Sequence, residues 1–385
     1  MKLIDACEII VDCPHSTAKD EGCGIPLVRT PNIGKGRLDL NGVHRVSETV
    51  YNQRNERAVP QFEDLILARE APVGNVAMIT KGQKVCLGQR VVLIRPNKAI
   101  ANPAYLTYYL LSDKVQHRLK NNANGAVVAH LNMNEIRNLE ITLPPLDEQN
   151  RIASILTSID DKIDLNNRIN HNLEERLQTK FDSLIERNNN SGCCLIKDII
   201  DVNPKRTISK GAIARSIDMS LLSTSGPFPT GWESKEYNGG MKFINGDTIM
   251  ARITPCLENG KVAYVNFLDE EEVAFGSTEY IVMHSKKGLP LEFTYFLARN
   301  NDFVDYATKN MNGSSGRQRV SGDTIEKYVL PVIHEKDTEE FGKEASIAMN
   351  VIRNNCFENR TLSRMRDTLL PSLLSGEVIV EDTTC

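Results

Sequence analysis

The chain repeats its own sequence pattern once over most of its 385 residues. The segment DLILAR, which ends at Arg69, matches DTIMAR, which ends at Arg252, at an offset of 183 residues. Ile9-Ile10 matches Ile199-Ile200 at an offset of 190, and Leu87-Gly88 matches Phe275-Gly276. A period this long exceeds that of a solenoid unit. The chain is therefore predicted to contain one domain type twice, in two copies of different sequence.

Each copy is predicted to combine strands with helices. The segments DLILAR and DTIMAR have the pattern of buried strands, and the strand-like segments VVLIRP and EYIVMH follow them. Residues 103–112 and 291–300 are apolar at helical spacing, so each is predicted to form a helix packed on its domain. A polar loop and a short strand ending in proline complete each copy, at Asn124-Gly125 and Pro144 in the first and at Asn312-Gly313 and Pro331 in the second.

Each copy then ends in a long predicted helix, the first from about residue 147 to 187. Apolar residues recur in both helices at steps of four and three, which is typical of a coiled-coil seam. Two asparagines occupy equivalent seam positions in each helix and are predicted to fix register; the alternative is two unrelated surface helices. Pro371 and Gly376 are expected to end the second helix. The seam positions are Ile152, Leu156, Ile159, Ile163, Asn166, Asn170, Leu173, Leu177, Lys180 and Leu184, and then Phe341, Ala345, Ala348, Ile352, Asn355, Asn359, Leu362, Arg366, Leu369 and Leu373.

The composition indicates a cytoplasmic protein. The nine cysteines are odd in number and lack C-x-x-C spacing, which favours a reducing compartment. No apolar run approaches the roughly 18 residues of a membrane span, and no secretory signal opens the chain. A zinc site at Cys7, Cys13, His15 and Cys23 is conceivable, but the spacing matches no common zinc pattern.

The net charge of −4 argues against a generic polyanion-binding protein. Any DNA-binding surface must therefore come from a local group of arginines and lysines. The acidic run at residues 269–272 would repel phosphates and is expected to face solvent or a partner.

Motifs for chemistry are missing, so no cofactor and no catalytic residue is predicted. Pro144-Pro145 is the only Pro-Pro pair, and it lies between leucines rather than in the Asn/Asp-Pro-Pro-aromatic loop of an adenine methyltransferase. No glycine-rich loop with a Walker lysine occurs. Asp218 with Glu233 and Lys235 is the nearest match to a nuclease site, in a stretch without strand patterning and without a counterpart in the first copy.

The whole chain resembles the specificity subunits of type I restriction-modification systems. The run LPPLDEQNRIASILTSIDDKI (residues 143–163) resembles the central region of that family, and LLPSLLSGEV (residues 369–378) resembles its distal region. The second central-type segment, VIHEKDTEEFGKEASIAMNVI, lacks the Pro-Leu-Asp-Glu-Gln run. The second segment therefore departs from the family pattern expected for partner docking.

The resemblance implies an α+β fold with two pseudo-symmetric target recognition domains, separated by two long helices that form an antiparallel coiled coil. It also implies a non-catalytic subunit that binds double-stranded DNA at a bipartite target. The implied partners are two modification subunits, which bind S-adenosylmethionine and methylate adenine, and restriction subunits with ATP-driven translocation and cleavage. The predicted boundaries are 1–146 for the first recognition domain, 147–190 for the central helix, 191–333 for the second domain, and 334–385 for the distal helix and tail.

Arginine and lysine suit guanine, and asparagine and glutamine suit adenine, when they lie on loops or strand ends that can enter the major groove. Trp232, in a loop absent from the first copy, could wedge into DNA or simply pack. Arg69 and Arg252 could contact phosphate or form structural ion pairs. The predicted DNA-binding residues are Arg29, Asn32, Arg69, His130, Asn132 and Asn134 in the first copy, and Lys205, Arg206, Arg252, Arg317, Gln318 and Arg319 in the second.

Three alternatives stay open at this point. The chain could be a fused nuclease, which a divalent metal bound near Glu233 and Lys235 would favour. It could be a coiled-coil scaffold, which a lack of sequence-dependent DNA binding would favour. It could also be the specificity subunit of a related system that has no restriction subunits.

Overall fold

The structure, a computed structural model, describes residues 1–121, 130–314, 316–378 and 380. The chain divides into two compact units, one of Met1–Asp161 with Leu362–Cys385 and one of Lys162–Thr361. Each unit holds one α+β domain and a segment of each of two long helices. The predicted loop at Asn124-Gly125 and the tail residues 381–385 lie outside the described residues.

The first unit is built on an antiparallel sheet in the order β1-β7-β4-β5. A smaller sheet has the order β3-β2-β6, in which β2 and β6 run parallel. The strands are β1 (Cys7–Asp12), β2 (Ile25–Val28), β3 (Arg45–Val46), β4 (Leu65–Ala68), β5 (Val76–Met78), β6 (Cys86–Leu87) and β7 (Val91–Pro96), and the short helices are α1 (Glu48–Arg54), α2 (Pro103–Leu111), α3 (Asp113–Asn121) and α4 (Met133–Arg137).

Strand β4 is apolar throughout because both of its faces are covered. Leu65 and Leu67 pack in a cluster that includes Leu106 of α2. Ile66 packs in a separate cluster with Val28 of the smaller sheet. Each side of the main sheet therefore has its own apolar core, one against helices and one against the smaller sheet.

The second unit repeats this topology. Its antiparallel sheet has the order β14-β13-β16-β9, and its second sheet, β11-β10-β15-β12, again contains one parallel pair, β10 with β15. The strands are β8 (Cys193–Leu195), β9 (Ile200–Val202), β10 (Ile213–Ile217), β11 (Glu233–Glu236), β12 (Met241–Phe243), β13 (Asp247–Ala251), β14 (Val262–Tyr264), β15 (Ala274–Gly276), β16 (Tyr280–Ser285) and β17 (Val329–Pro331), and the short helices are α6 (Ile196–Ile199), α7 (Phe293–Arg299), α8 (Asn301–Lys309) and α9 (Gly322–Ile325).

The two long helices are α5 (Leu146–Arg187) and α10 (Glu335–Ser375), and they pair antiparallel. In the second unit, Lys180 Nζ of α5 lies 2.8 Å from Glu344 Oε1 of α10, whereas Asn166 of α5 lies beside Asn359 of α10. In the first unit, Asp160 of α5 is bonded to Arg366 of α10 at 2.8 Å. The predicted antiparallel coiled coil is confirmed.

Three local predictions are wrong. Helix α10 does not end at Pro371, because the leucines around it pack in an apolar cluster with Tyr105 and Ile152 that outweighs one lost backbone hydrogen bond. It ends at Ser375, directly before Gly376, so the second predicted end signal is confirmed. No strand ends at Pro144, since Thr142 N donates instead to the hydroxyl of Tyr109 at 3.0 Å. The stretch around Glu233 does form a strand, β11, because it pairs with β10.

Candidate nucleic-acid interface

Two predicted DNA-binding residues of the first unit, Arg69 and His130, lie close to a third polar residue, Arg90. Arg69 follows β4, Arg90 precedes β7, and His130 precedes α4. The backbone N–H of Arg69 donates to the carbonyl of Arg90 at 2.9 Å, and Leu131 N–H donates to the carbonyl of Arg69 at 3.1 Å. These backbone bonds place the three side chains next to one another, and we call them, with Glu70, the first strand-end cluster.

Arg69 is committed to contacts inside its own domain. Its side chain is 6% exposed and pairs with Asp12. Its Nε donates to the carbonyl of Leu131 at 2.8 Å, and its Nη2 lies 2.6 Å from His130 Nε2. This geometry favours the structural ion pair over a phosphate contact.

The tautomer of His130 follows from its neighbours. An arginine side chain can only donate hydrogen bonds, so His130 Nε2 must accept the bond from Arg69. The ring proton is then on Nδ1, which donates to Glu70 Oε1 at 2.6 Å. Both ring nitrogens are therefore occupied within the domain.

The second unit has a matching arrangement with different side chains. Arg252 N–H donates to the carbonyl of Glu279 at 3.0 Å, and Val320 N–H donates to the carbonyl of Arg252 at 3.0 Å. Glu279 thus takes the place of Arg90, and Arg319 takes the place of His130. We call Arg252, Glu279 and Arg319 the second strand-end cluster.

Arg319 holds Glu279 through more than one hydrogen bond. Its Nε lies 2.9 Å from Glu279 Oε1, and its Nη2 lies 2.7 Å from the same oxygen. These bonds to the ionised carboxylate lower the pKa of Glu279 below its usual value. The Nε of Arg252 is buried without a hydrogen-bond partner among the described residues, and its charge acts in the same direction on Glu279.

Arg317 and Gln318 lie in the hairpin that leads to Arg319. The backbones of Asn312 and Arg319 exchange two hydrogen bonds of 2.9 Å, and Thr254 N–H donates to the carbonyl of Gln318 at 3.1 Å. Gly313 has φ +132°, and a Cβ there would lie 2.9 Å from the Arg317 carbonyl oxygen, so the hairpin requires glycine. The Arg317 side chain is exposed.

Arg29 lies at the same edge as the first strand-end cluster, because Gly88 N–H donates to the carbonyl of Val28 at 2.8 Å. A Cβ at Gly88 would lie 2.8 Å from Cγ of Arg29, so glycine leaves room for this arginine. Asn32 shapes the turn, since its Oδ1 accepts from Arg29 N–H at 3.0 Å.

Asn132 and Asn134 are exposed beside His130, at the start of α4. Lys205 and Arg206 are not brought to the second strand-end cluster. Arg206 Nη2 lies 3.2 Å from Asp247, which begins β13, whereas Arg252 follows the other end of that strand. Lys205 is exposed next to Arg206.

The residues that suggested a nuclease site, and Trp232, make contacts inside their own domain. Lys235 Nζ pairs with Asp218 at 2.7 Å and with Glu233 at 2.8 Å. Across the ranges that the structure describes, no group of three or more His, Cys, Asp or Glu side chains could hold a metal ion. Trp232 is half-buried and stacks on Phe267 with ring centroids 5.5 Å apart, which is the packing alternative.

Sequence analysis did not single out Arg90 or Glu279 as site residues. Both follow shortly after the matched pairs Leu87-Gly88 and Phe275-Gly276, so the repeat itself carried the signal. What the repeat could not show is that this segment lies against the strand-final arginine.

Residues 1–175 match the family model described as the type I restriction modification DNA specificity domain. The chain is 19% identical to the type I restriction enzyme MjaVIII specificity subunit of Methanocaldococcus jannaschii, over 85% of this chain and 82% of that protein. It is 25% identical to the EcoBI specificity subunit of Escherichia coli, over 36% of this chain and only 29% of that protein.

A solved structure, the type I restriction-modification S subunit from M. genitalium, shares the fold with a TM-score of 0.57 at 15% identity, covering 100% of this chain and 96% of that one. Among the described helices, none combines the length and apolar composition needed to cross a bilayer. Residues 1–175 thus match the specificity-domain family, and similarity to a type I specificity subunit extends over most of the chain.

Proposed function

We propose that this chain binds DNA at a two-part target and that each α+β domain reads one part. The carrying observation is that the two strand-end clusters share one backbone arrangement but differ in side chains. Arg90 of the first unit corresponds to Glu279 of the second, and His130 corresponds to Arg319. Two domains of one fold with different polar groups at matched positions suit the recognition of two different short sequences.

The proposal includes the domain boundaries 1–146, 147–190, 191–333 and 334–385. It also includes two modification subunits, because the repeat offers one kind of docking surface twice. These partners supply the adenine methylation, and restriction subunits supply cleavage. A cytoplasmic location is part of the same proposal.

The twelve predicted DNA-binding residues divide by their surroundings. Arg317 is the best candidate for base contact, because its side chain is exposed and the backbone of Asn312 pairs with that of Arg319 at the base of the hairpin. Asn132, Asn134, Gln318 and Lys205 are further candidates on the surface or near it. Five others have side chains that are hydrogen-bonded within their own domain: Asn32, Arg69, His130, Arg206 and Arg319. In Arg29 and Arg252, the Nε atom is buried without a hydrogen-bond partner among the described residues.

Methylation mapping tests the function. Methylated adenines are mapped across the source genome in strains with and without this gene, and a two-part motif should disappear with the gene. Exchange of residues 191–333 for the matching domain of a relative should then change one half of the motif only. A change in both halves would contradict the assignment of one reader to each domain.

Two alternatives have distinct outcomes. If the source strain lacks restriction subunits, methylation of the motif should persist without restriction of unmodified DNA, and the chain would be a specificity subunit of a modification-only system. If the purified chain alone cleaved DNA in the presence of Mg²⁺, the fused-nuclease alternative would replace the proposal.

A further inference from the structure

Glu70 fixes the orientation of Arg90 at the first strand-end cluster. Arg90 Nε forms an ion pair with Glu70 Oε2 at 2.9 Å, and the other oxygen of Glu70 accepts a hydrogen bond from His130 Nδ1 at 2.6 Å. His130 is held by Arg69, which pairs with Asp12. The side chain of Glu70 is 15% exposed, whereas that of Arg90 is 55% exposed. The contacts that run from the buried Arg69 through His130 and Glu70 thus lead to the exposed guanidinium group of Arg90.

The outer edge of that guanidinium group is available. The ion pair of Arg90 with Glu70 is made through Nε, and the Arg90 side chain is 55% exposed, so a ligand can reach the guanidinium group. Two parallel N–H groups match the O6 and N7 acceptors of guanine in the major groove. A carboxylate behind the arginine pre-organises it and so lowers the entropy lost on binding.

The backbone at Arg90 is in a conformation that arginine rarely adopts. Its φ is +66°, in the left-handed region that favours glycine and asparagine. The Arg90 carbonyl is held there by the N–H of Arg69 at 2.9 Å. Conformations of this kind persist where the surrounding structure imposes them, and they concentrate at binding sites.

We infer that Arg90 is the guanine-reading residue of the first domain, and that Glu70, His130 and Arg69 are positioning residues that act through it. This inference rests on the proposed DNA-binding function. It replaces His130 as a reader, since both of its ring nitrogens are already bonded. At the matched position the second domain carries Glu279, so the two domains differ in charge at this point.

The test uses the tagged full-length chain, recovered from the source strain with the subunits that copurify, and a library of random double-stranded DNA. Arg90→Gly removes the side chain and suits the positive φ, so its melting temperature should stay close to that of the wild type. Arg90→Lys keeps the charge but loses the paired donors. Glu70→Gln removes the charge that holds Arg90, and Arg317→Ala, at an exposed arginine of the second domain, is the control variant.

The wild type should select two sequence blocks. Arg90→Gly and Arg90→Lys should each lower the preference for guanine at one position of one block by about tenfold or more, with the other block unchanged. Glu70→Gln should weaken the same position to a smaller extent, whereas Arg317→Ala should affect only the other block.

The other possible results distinguish a failure of the proposed function from a failure of the inference about Arg90. If the wild type selects no sequence, the proposed function is wrong and the inference falls with it. If the wild type selects two blocks and Arg90→Gly selects the same two with unchanged preferences, only the inference is wrong. Equal weakening on all sequences, with a shallower salt dependence, would also overturn it, because that pattern marks a phosphate contact.

Discussion

Asn166 of α5 donates a hydrogen bond from Nδ2 to Oδ1 of Asn359 in α10 at 2.9 Å. Asn355 repeats this contact one turn away, with Nδ2 donating to Oδ1 of Asn170 at 2.8 Å. The four predicted seam asparagines therefore pair across the antiparallel helices of the second unit. An amide pair of this kind favours one alignment, because a shift can place an amide against an apolar side chain.

Asn166→Ala should destabilise the second unit by about 1 to 3 kcal/mol, because Asn166 is buried and its removal leaves a partner amide unsatisfied. The free energy of unfolding in urea, followed by tryptophan fluorescence, measures the effect. Asn167→Ala, at the exposed neighbouring position, should change the free energy less. Equal stability of Asn166→Ala and the wild type would show that the pair contributes nothing.

Trp232 should report on the packing of the second unit and not on DNA. Two arginines approach its indole ring, with Arg360 3.7 Å and Arg215 4.8 Å from the ring centroid, and the ring stacks on Phe267. Trp232→Ala should cost about 2 to 4 kcal/mol of unfolding free energy. Urea unfolding followed by circular dichroism measures this, because Trp232→Ala has no tryptophan; in the wild type, the emission of the single tryptophan reports on DNA binding. Strong quenching by bound DNA, without unfolding, would instead support a wedge in the duplex.

The ion pair between Arg319 and Glu279 should stabilise the second unit in a pH-dependent way. The pKa of Glu279 lies below its usual value of 4.5 in the folded state, because the charged carboxylate is hydrogen-bonded to Arg319. The stabilisation is therefore complete above about pH 4.5 and is lost as the pH falls through the lower, folded-state pKa.

Arg319→Gln should consequently be less stable than the wild type at pH 7, and the difference should shrink in acid. Urea titrations at pH 7 and at several values below 4.5 measure this. Arg317→Gln, in the same hairpin, is the control, because the Arg317 side chain is exposed and should show no such difference. A pH-independent difference for Arg319→Gln would exclude Glu279 as its partner.

The features that the sequence predicted well depend on local pattern. The period of the seam located Asn166 and Asn359, and the duplicated strand segments located Arg69 and Arg252. Which polar residues become partners depends on long-range pairing, such as the contact of Arg90 with Glu70, and no local period encodes that. At Pro371 a local signal gave the wrong prediction, since tertiary packing of the neighbouring leucines overrides the tendency of proline to end a helix.

Insertion of four residues into both helices, before Asn166 in α5 and after Asn359 in α10, should lengthen the gap between the two half-sites if the helices set that distance. Four residues add roughly 6 Å to a helix, close to two base-pair steps of about 3.4 Å. Insertion in both helices keeps Asn166 opposite Asn359, so the cost in stability should be small, and four residues keep the apolar face nearly in line. The recognised bases should stay the same, because neither α+β domain is altered. Methylated-site mapping of this variant should show both half-sites with a spacer longer by one or two base pairs. An unchanged spacer in a folded, active complex would show that the helices do not determine the distance, even if each domain still recognises its own half-site.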